Sequence, residues 1–219
     1  MQVGRGLSLA TLRGLPMFER VPDSELEHLA RVSTYRKVTR GTTIVRAGDV
    51  TDSLYILISG SIKVLNSDEE GREVILAILG TGEFFGEMGL LDGEPRSANV
   101  VALEVCEVLI IAKAEFRRLL TEHVDLTFYL LRSLVQRLRE ADRKIESLAL
   151  MDVFGRVAKL LLEFSEMQEG RRIVARKLTK QDIAKMIGAS REMVSRVMKD
   201  LETSGYIEVQ DGRIVLHEI

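Results

Sequence analysis

The stretch 125–150 carries apolar residues at alternating steps of three and four. These positions are Leu131, Leu134, Leu138, Ala141, Ile145 and Leu148. Such spacing is that of the a and d positions of a helical seam. Because the stretch holds neither Gly nor Pro, it predicts one helix of about 26 residues, roughly 39 Å long. One chain offers no second helix of matching length and pattern, so the seam predicts a homodimer. A helix packed on its own domain is the alternative.

Between residues 34 and 111 the apolar period changes to two. Apolar or alternating runs occupy 53–58, 61–65, 73–78, 98–101 and 105–111, and they are separated by Gly41, Gly48, Gly60, Gly71, Gly80 and Gly82. Short runs punctuated by glycine are typical of antiparallel strands that fold into a barrel or jelly roll. Helices are predicted at 7–15 and 26–32 before the strands and at 114–121 after them.

Residues 179–199 carry the pattern of two short helices joined by a tight turn. Thr179 begins a capping box, and Ser190 caps the second helix. Small Ala184 lets the second helix approach, and Gly188 makes the turn. This pattern predicts a helix-turn-helix.

The helix-turn-helix is flanked by further predicted elements. Asp152 caps a helix at 153–167, and a polar turn at 168–172 leads to a strand at 172–175. Downstream, Asp211-Gly212 lies between two apolar runs, which predicts a β-hairpin and therefore a wing. The sequence thus predicts an α+β protein with three parts: a β-roll (jelly-roll) domain with flanking helices (1–124), a dimerisation helix (125–150) and a winged helix-turn-helix domain (151–219).

The segment 171–199 is basic within a chain whose net charge is −2. It holds nine Lys or Arg and two acidic residues, so its balance is 9 − 2 = +7, which indicates a polyanion-binding surface. Arginine can bind guanine in bidentate fashion, and glutamate can accept from the cytosine amino group. The predicted DNA contacts are Thr179, Lys180, Ser190, Arg191, Glu192, Ser195, Arg196 and Lys199. A hairpin with solvated charges is the alternative.

Composition excludes several classes of protein. One cysteine, Cys106, rules out an internal disulfide or a four-thiolate cluster and is expected to be a buried small hydrophobe. No apolar run is long enough to span a membrane and the N-terminus lacks a signal-peptide pattern, so a cytoplasmic location is expected. His28, His123 and His217 are scattered, and we expect them to be solvated. No catalytic set and no metal site is predicted, so we expect no enzymatic activity.

Three motifs together point to a family. Ser190-Arg-Glu-Met-Val-Ser-Arg196, Gly86-Glu87 and Pro95-Arg-Ser-Ala98 resemble those of the cyclic-AMP receptor protein and fumarate-nitrate regulator (CRP/FNR) family of bacterial transcription factors. The resemblance covers roughly residues 15 to 217. It implies that Arg191, Glu192 and Arg196 read a TGTGA-like half-site of a palindromic operator. RNA polymerase is a further partner that the resemblance implies, although the loop at 168–176 resembles the family's polymerase-contacting loop only in position and is shorter.

A second constellation lies at 85–98. Its glycines let backbone amides approach a ligand closely, an arginine can neutralise a phosphate, and a carboxylate can accept from a sugar hydroxyl. The order resembles the phosphate-binding cassette of cyclic-nucleotide domains. That resemblance implies that Glu87 holds the ribose 2′-hydroxyl, Arg96 the cyclic phosphate, and Ser97 with the Gly86 backbone the remaining oxygens. The candidate effector-binding residues are Gly86, Glu87, Met88, Arg96, Ser97, Ala141 and Asp142. An ion pair of Glu87 with Arg96 across a turn is the alternative.

The sequence departs from the cyclic-AMP receptor protein on the long helix. Where that protein contacts adenine through a threonine and a serine, this chain has Ala141 and Asp142. An ionised Asp only accepts hydrogen bonds, which suits the two adjacent donors of guanine and favours a ligand such as cyclic di-GMP. An Asp142 pair with Arg139 is the alternative, and cyclic AMP and a guanine nucleotide both stay open as effector.

These patterns predict an effector-controlled transcription regulator. Effector binding is expected to bias the long helix near Leu150 and to re-space the two recognition helices by about one DNA turn, 34 Å. One alternative is a cyclic-nucleotide module that regulates a protein partner. Another is a family member that senses redox state or a gas through iron, against which the lone Cys106 argues. Activation and repression are both compatible with this architecture.

Overall fold

The computed structural model describes residues 7–174, 178–210 and 213–217. It divides into two compact units, Met1–Arg137 and Leu138–Ile219. The boundary falls inside the long helix, so each unit contains one part of that helix. The predicted division into three domains stays a prediction.

Eight antiparallel strands form the first unit. They are β1 Thr34–Val38, β2 Thr43–Val45, β3 Ser53–Ser59, β4 Ile62–Ser67, β5 Glu73–Leu79, β6 Phe84–Phe85, β7 Asn99–Ala102 and β8 Cys106–Ala112. Two four-stranded sheets result, in the orders β1-β8-β3-β6 and β2-β7-β4-β5. This architecture confirms the predicted β-roll. The sequence did not predict β1, β2 and β6 as separate strands. β2 and β6 are only three and two residues long, and β1 consists mostly of polar residues.

The alternation along β8 explains the strand pattern. Cys106 and Val108 lie in the core between the two sheets. Leu109 and Ile111 face a second apolar cluster, where helices cover the outer side of the β1-β8-β3-β6 sheet. A strand buried on both faces reads as a nearly continuous apolar run. Cys106 is fully buried, as predicted.

Six helices of the described chain contribute to the first unit. They are α1 Leu9–Arg13, the 3-10 helix Pro16–Phe18, α2 Asp23–Val32, α3 Met88–Asp92, α4 Lys113–Glu122 and the beginning of α5 Val124–Leu150. Phe18, Leu29 and Phe116 anchor these helices on the apolar cluster. Pro16 begins the 3-10 helix and separates it from α1.

The long helix α5 is confirmed, and its seam stays a prediction. Leu134 packs against the core of its own unit, and Leu148 has its Cδ2 3.5 Å from the Cβ position of Gly188 in the second unit. Large apolar side chains left exposed at three–four spacing include Phe128, Leu131, Val135, Leu138, Ile145 and Leu148. Position 142 continues the same spacing. Leu131, Leu138 and Ile145 belong to both possible series, and we propose the series through Phe128 and Val135 as an alternative to the predicted one through Leu134, Ala141 and Leu148.

The second unit contains three helices and one sheet besides the end of α5. Its elements are α6 Val153–Glu163, β9 Ser165–Gln168, β10 Arg171–Val174, α7 Lys180–Ile187, α8 Arg191–Thr203, β11 Ile207–Gln210 and β12 Arg213–Leu216. The sheet order is β11-β12-β10-β9. β11 and β12 form the predicted wing, whereas the predicted Asp211-Gly212 turn lies outside the described residues. Among the helices that the structure describes, none combines the length and apolar character needed to cross a bilayer.

The prediction of a helix over 153–167 was wrong at its C-terminal end. α6 stops at Glu163, because Ser165 Oγ donates to the Leu162 carbonyl at 2.8 Å and the chain then extends as β9. Glu169 and Gly170 both have positive φ and turn β9 back onto β10. The first of two sheet hairpins therefore replaces the last turn of the predicted helix.

Candidate functional site

Arg96 is the centre of the candidate effector site in the first unit. It is buried, and its Nη1 and Nη2 donate to the carbonyls of Gly86 and Ser53, each at 2.7 Å. The guanidinium also stacks over the Tyr55 ring, 5.5 Å from its centroid. The carboxylate recorded near it is that of exposed Asp52, at 3.6 Å. A buried cation held mainly by neutral carbonyls is suited to bind an anion such as a phosphate.

The glycines around Arg96 are required by space as well as by backbone conformation. Gly86 has φ 81°, and a Cβ there would collide with Arg96 Nη1. A Cβ on Gly89 would collide with the Glu94 carbonyl and the Thr51 hydroxyl. The segment 86–96 therefore folds tightly around the guanidinium of Arg96.

Glu87 is buried beside Arg96, but its partner is Arg137 of α5. Arg137 Nη1 lies 2.7 Å from Glu87 Oε1, and Nη2 donates to the Phe84 carbonyl. The Arg137 guanidinium also lies over the Phe84 ring, 4.6 Å from its centroid. The alternative of a Glu87–Arg96 pair is thus not the recorded arrangement. No local pattern in the sequence marks Arg137 as this partner, and only the need of a buried carboxylate for a cation points to such a residue.

The other predicted effector residues are at the surface. Ser97 is exposed and its hydroxyl lies 3.7 Å from the sulfur of Met88, which is also exposed. The structure therefore brings Gly86, Glu87, Met88, Arg96 and Ser97 together. Ala141 and Asp142 are exposed on the part of α5 that belongs to the second unit, and their role in effector binding stays a prediction.

The helix-turn-helix of the second unit follows the predicted pattern in detail. Thr179 caps α7 in a reciprocal capping box with Asp182. Gly188 ends α7 in the left-handed conformation at φ 63°, which favours glycine. Ser190 caps α8 by accepting from the Met193 backbone N–H at 3.2 Å. Val194 of α8 is buried in the core shared with α7.

The predicted DNA contacts lie along one outward region of α7 and α8. Lys180, Arg191, Glu192, Arg196 and Lys199 are exposed, whereas Ser195 is half-buried. The pKa of Glu192 is held below its ordinary value, because the carboxylate accepts from its own backbone N–H and from the Ser190 hydroxyl. Glu192 is consequently ionised and acceptor-only at neutral pH. Two arginines and one acceptor at the start of an exposed helix can read base edges in a major groove.

One prediction about the histidines was wrong. His123 was expected to be solvated, yet its Nε2 is buried and has no hydrogen-bond partner among the described residues. His28 is half-exposed, with Nε2 3.5 Å from Glu115 Oε1. His123 lies at the junction of α4 and α5, where tertiary packing rather than local pattern decides its exposure.

Comparisons with known proteins bear on both units. The family model of the cyclic nucleotide-binding domain matches residues 35–123, and that of the Crp-like helix-turn-helix domain matches residues 155–219. The cAMP-activated global transcriptional regulator Vfr of Pseudomonas aeruginosa is 38% identical over 205 residues, which cover 88% of this chain and 94% of Vfr. The chain belongs to the CRP/FNR family. This confirms the resemblance carried by the three sequence motifs.

Other members of the CRP/FNR family show the same relation. The cAMP-activated global transcriptional regulator CRP of Pasteurella multocida is 38% identical over 202 residues, covering 89% of this chain and 95% of that regulator. The structure of the c-di-GMP-responsive global regulator CLP of Xanthomonas campestris superimposes with a TM-score of 0.77 at 29% identity, covering 90% of this chain and all of that one. These relatives are transcription regulators, which agrees with the expectation that the chain is not an enzyme.

Proposed function

We propose that this CRP/FNR-family protein is a homodimeric transcription regulator whose affinity for a palindromic, TGTGA-like operator is set by a cyclic nucleotide. The observation that carries this proposal is buried Arg96, which is held by neutral carbonyls and by the exposed carboxylate of Asp52 at 3.6 Å, and whose partner Gly86 precedes buried Glu87. In this proposal Arg96 binds the cyclic phosphate and Glu87 the ribose hydroxyl. Ser97, the exposed Met88 and the Gly86 backbone complete this effector-binding site, which we call the cup.

Cyclic AMP is the first candidate for the effector. Two relatives at 38% identity are named as cAMP-activated regulators. The tight cassette of 86–96 suits a single cyclic phosphate, because one buried guanidinium stands at its centre. Because these two relatives are named as cAMP-activated transcription regulators, we propose that the nucleotide tightens operator binding and that the DNA-bound dimer contacts RNA polymerase.

A guanine nucleotide such as cyclic di-GMP is the second candidate, and Asp142 favours it. An aspartate that accepts only suits the adjacent N1–H and 2-amino donors of guanine better than it suits adenine. Position 142 also shares the three–four spacing of the exposed apolar residues on α5, so it belongs to the proposed seam. CLP, the structural relative at 29% identity, is named as c-di-GMP responsive.

Titration calorimetry of the full-length dimer with cyclic AMP, cyclic GMP and cyclic di-GMP separates the two candidates. Tight binding of cyclic AMP that survives Asp142→Ser supports the first. Selective binding of a guanine nucleotide, weakened at least about tenfold by Asp142→Ser, supports the second. Glu146→Ser, which removes another exposed acid of α5 outside the seam, is the matched control. If none of the three nucleotides binds and Arg96→Gln changes nothing, the nucleotide proposal is wrong.

A further inference from the structure

Three potential metal ligands from separate elements converge in the first unit. Glu25 belongs to α2, Glu122 is the last residue of α4, and His123 lies between α4 and α5. One oxygen of each carboxylate and one ring nitrogen of His123 lie within 4.8 Å of one another. Glu25 is far in sequence from the other two, so only the tertiary fold makes this cluster.

His123 supplies an observation that an acidic cluster alone would not. Its Nε2 is buried without a hydrogen-bond partner among the described residues. Buried polar atoms in folded proteins nearly always have a partner. A neutral imidazole nitrogen has a lone pair, which makes histidine the commonest metal ligand. Coordination of an ion would satisfy this atom.

The charge around the cluster leaves room for a cation. Arg118 bonds Glu25 at 2.7 Å, Glu115 at 2.8 Å and Glu122 through its other terminal nitrogen. Three carboxylates against one guanidinium give a local charge of −3 + 1 = −2 when the histidines are neutral. In the recorded bonds Arg118 uses Oε2 of both Glu25 and Glu122, so Oε1 of each can serve a second cation. A divalent ion would neutralise the group.

A cavity provides the route to the cluster. It has a volume of about 560 Å³ and lies between residues 16–21 and the first turns of α5. Glu122 and His123 form part of its wall. The cavity therefore brings solvent to two of the three residues, and a usable metal site requires such an entry path.

We propose that Glu25, Glu122 and His123 form a binding site for Zn²⁺, with water as the fourth ligand. One imidazole and two carboxylates are a zinc ligand set, whereas the imidazole disfavours Mg²⁺ and Ca²⁺. The ion would join α2 to the junction from which the long helix begins. The site is separate from the nucleotide cup and does not depend on the proposed effector. It would therefore be a second ligand-binding site in the first unit.

Titration calorimetry of the chelator-treated full-length protein with Zn²⁺, repeated with Co²⁺ as a spectroscopic probe, tests the site. We expect one ion per chain, a rise in Tm with Zn²⁺, and a Co²⁺ visible spectrum typical of tetrahedral nitrogen–oxygen coordination. His123→Gln and Glu122→Gln should each weaken binding at least about tenfold. His217→Gln removes a histidine of the second unit and should leave all three signals unchanged.

Glu122→Gln also separates loss of the site from loss of the fold. Its amide oxygen can still accept from Arg118, and the side chain is about half exposed at 48%, so the metal-free Tm should stay at the wild-type value. Three results would overturn the proposal: no saturable Zn²⁺ binding by the wild type, unchanged binding in both His123→Gln and Glu122→Gln, or a loss in His217→Gln as large as that in His123→Gln.

Discussion

Gly86 shows how one residue can control the effector cup. An alanine there would have to adopt φ 81° and would press its Cβ against Arg96 Nη1. We expect Gly86→Ala to weaken nucleotide binding at least about tenfold, because the guanidinium must move from its place. Calorimetry measures the affinity. Gly71→Ala is the matched control: φ there is 77° with open space around the Cβ position, so it carries backbone strain of about 1 kcal/mol without the collision. Equal affinities for the two variants would contradict this account.

The Glu87–Arg137 pair predicts a second residue-scale result. Arg137→Gln leaves the carboxylate of Glu87, only 4% exposed in its side chain, without its cation. We expect the free energy of unfolding to fall by about 3 kcal/mol, as measured by urea denaturation. Arg132→Gln, at an exposed position of the same helix, should cost much less.

A double variant checks that the loss comes from the pair. Glu87→Gln combined with Arg137→Gln removes the buried charge as well as its partner, so its cost should be smaller than the sum of the single costs. Costs that simply add would mean that the two residues do not interact, and the recorded ion pair would then be energetically irrelevant.

Cys106 gives a prediction about pH. Burial raises the pKa of its thiol above the ordinary value, although the thiol also donates to the Ser61 carbonyl at 3.2 Å. The thiolate is the reactive form of cysteine, so a raised pKa lowers the reactivity of Cys106 at pH 8. The reactivity should increase only at higher pH. Labelling of the native protein by a chromogenic disulfide reagent at pH 8 should be at least about a hundredfold slower than in denaturant. Rapid stoichiometric labelling of the native chain would contradict the buried position.

Much of the site at this scale was predictable from sequence, because local motifs carry it. The order of Gly86, Glu87 and Arg96 along the sequence was enough to predict the phosphate-binding cassette. The partners of these residues were not predictable, because Arg137 lies 50 positions from Glu87 along the chain and nothing local marks it. The burial of His123 Nε2 was missed for the same reason: it depends on tertiary packing.

At the scale of elements, two registers are possible for the seam of α5, and single substitutions can distinguish them. Val135, which is 50% exposed, belongs only to the series through Phe128, whereas Leu148, which is 54% exposed, belongs only to the series predicted from sequence. We expect Val135→Glu to weaken the dimer at least about a hundredfold, because it places an unpaired charge in the seam of both copies. Analytical ultracentrifugation measures the dissociation constant, with Gln136→Glu as the neighbouring off-seam control. A dimer that survives Val135→Glu but dissociates in Leu148→Glu would restore the original register.

The helix itself was easier to predict than its contacts. Its length follows from an unbroken run of helix formers, but two series with the same three–four spacing occur along it, and only burial shows that Leu134 serves its own unit. β9 was missed because residues 165–168, Ser-Glu-Met-Gln, carry no alternating apolar pattern that would mark a strand, and the helix stops through the local bond of Ser165 to Leu162. Strong caps such as Thr179 and Ser190 made α7 and α8 predictable.

For the whole molecule, the sequence was informative because its two units each carry a self-contained motif. The β-roll is predicted by apolar alternation punctuated by glycine. The helix-turn-helix is predicted by its caps, its turn and the basic segment. The identity of the effector is less accessible, because Asp142 and the cassette residues belong to different units. Selection of a base depends on several weak contacts, whereas the phosphate and ribose contacts are fixed by charge.

A cyclic nucleotide in the cup is expected to control operator binding, and fluorescence anisotropy of a labelled palindrome with two TGTGA-like halves measures this control. At one fixed salt concentration, saturating nucleotide should tighten the operator Kd of the wild-type dimer at least about tenfold. Arg96→Gln should abolish this change, and Arg191→Gln should weaken binding with or without nucleotide. An operator Kd that stays the same when calorimetry shows the nucleotide bound would contradict the account.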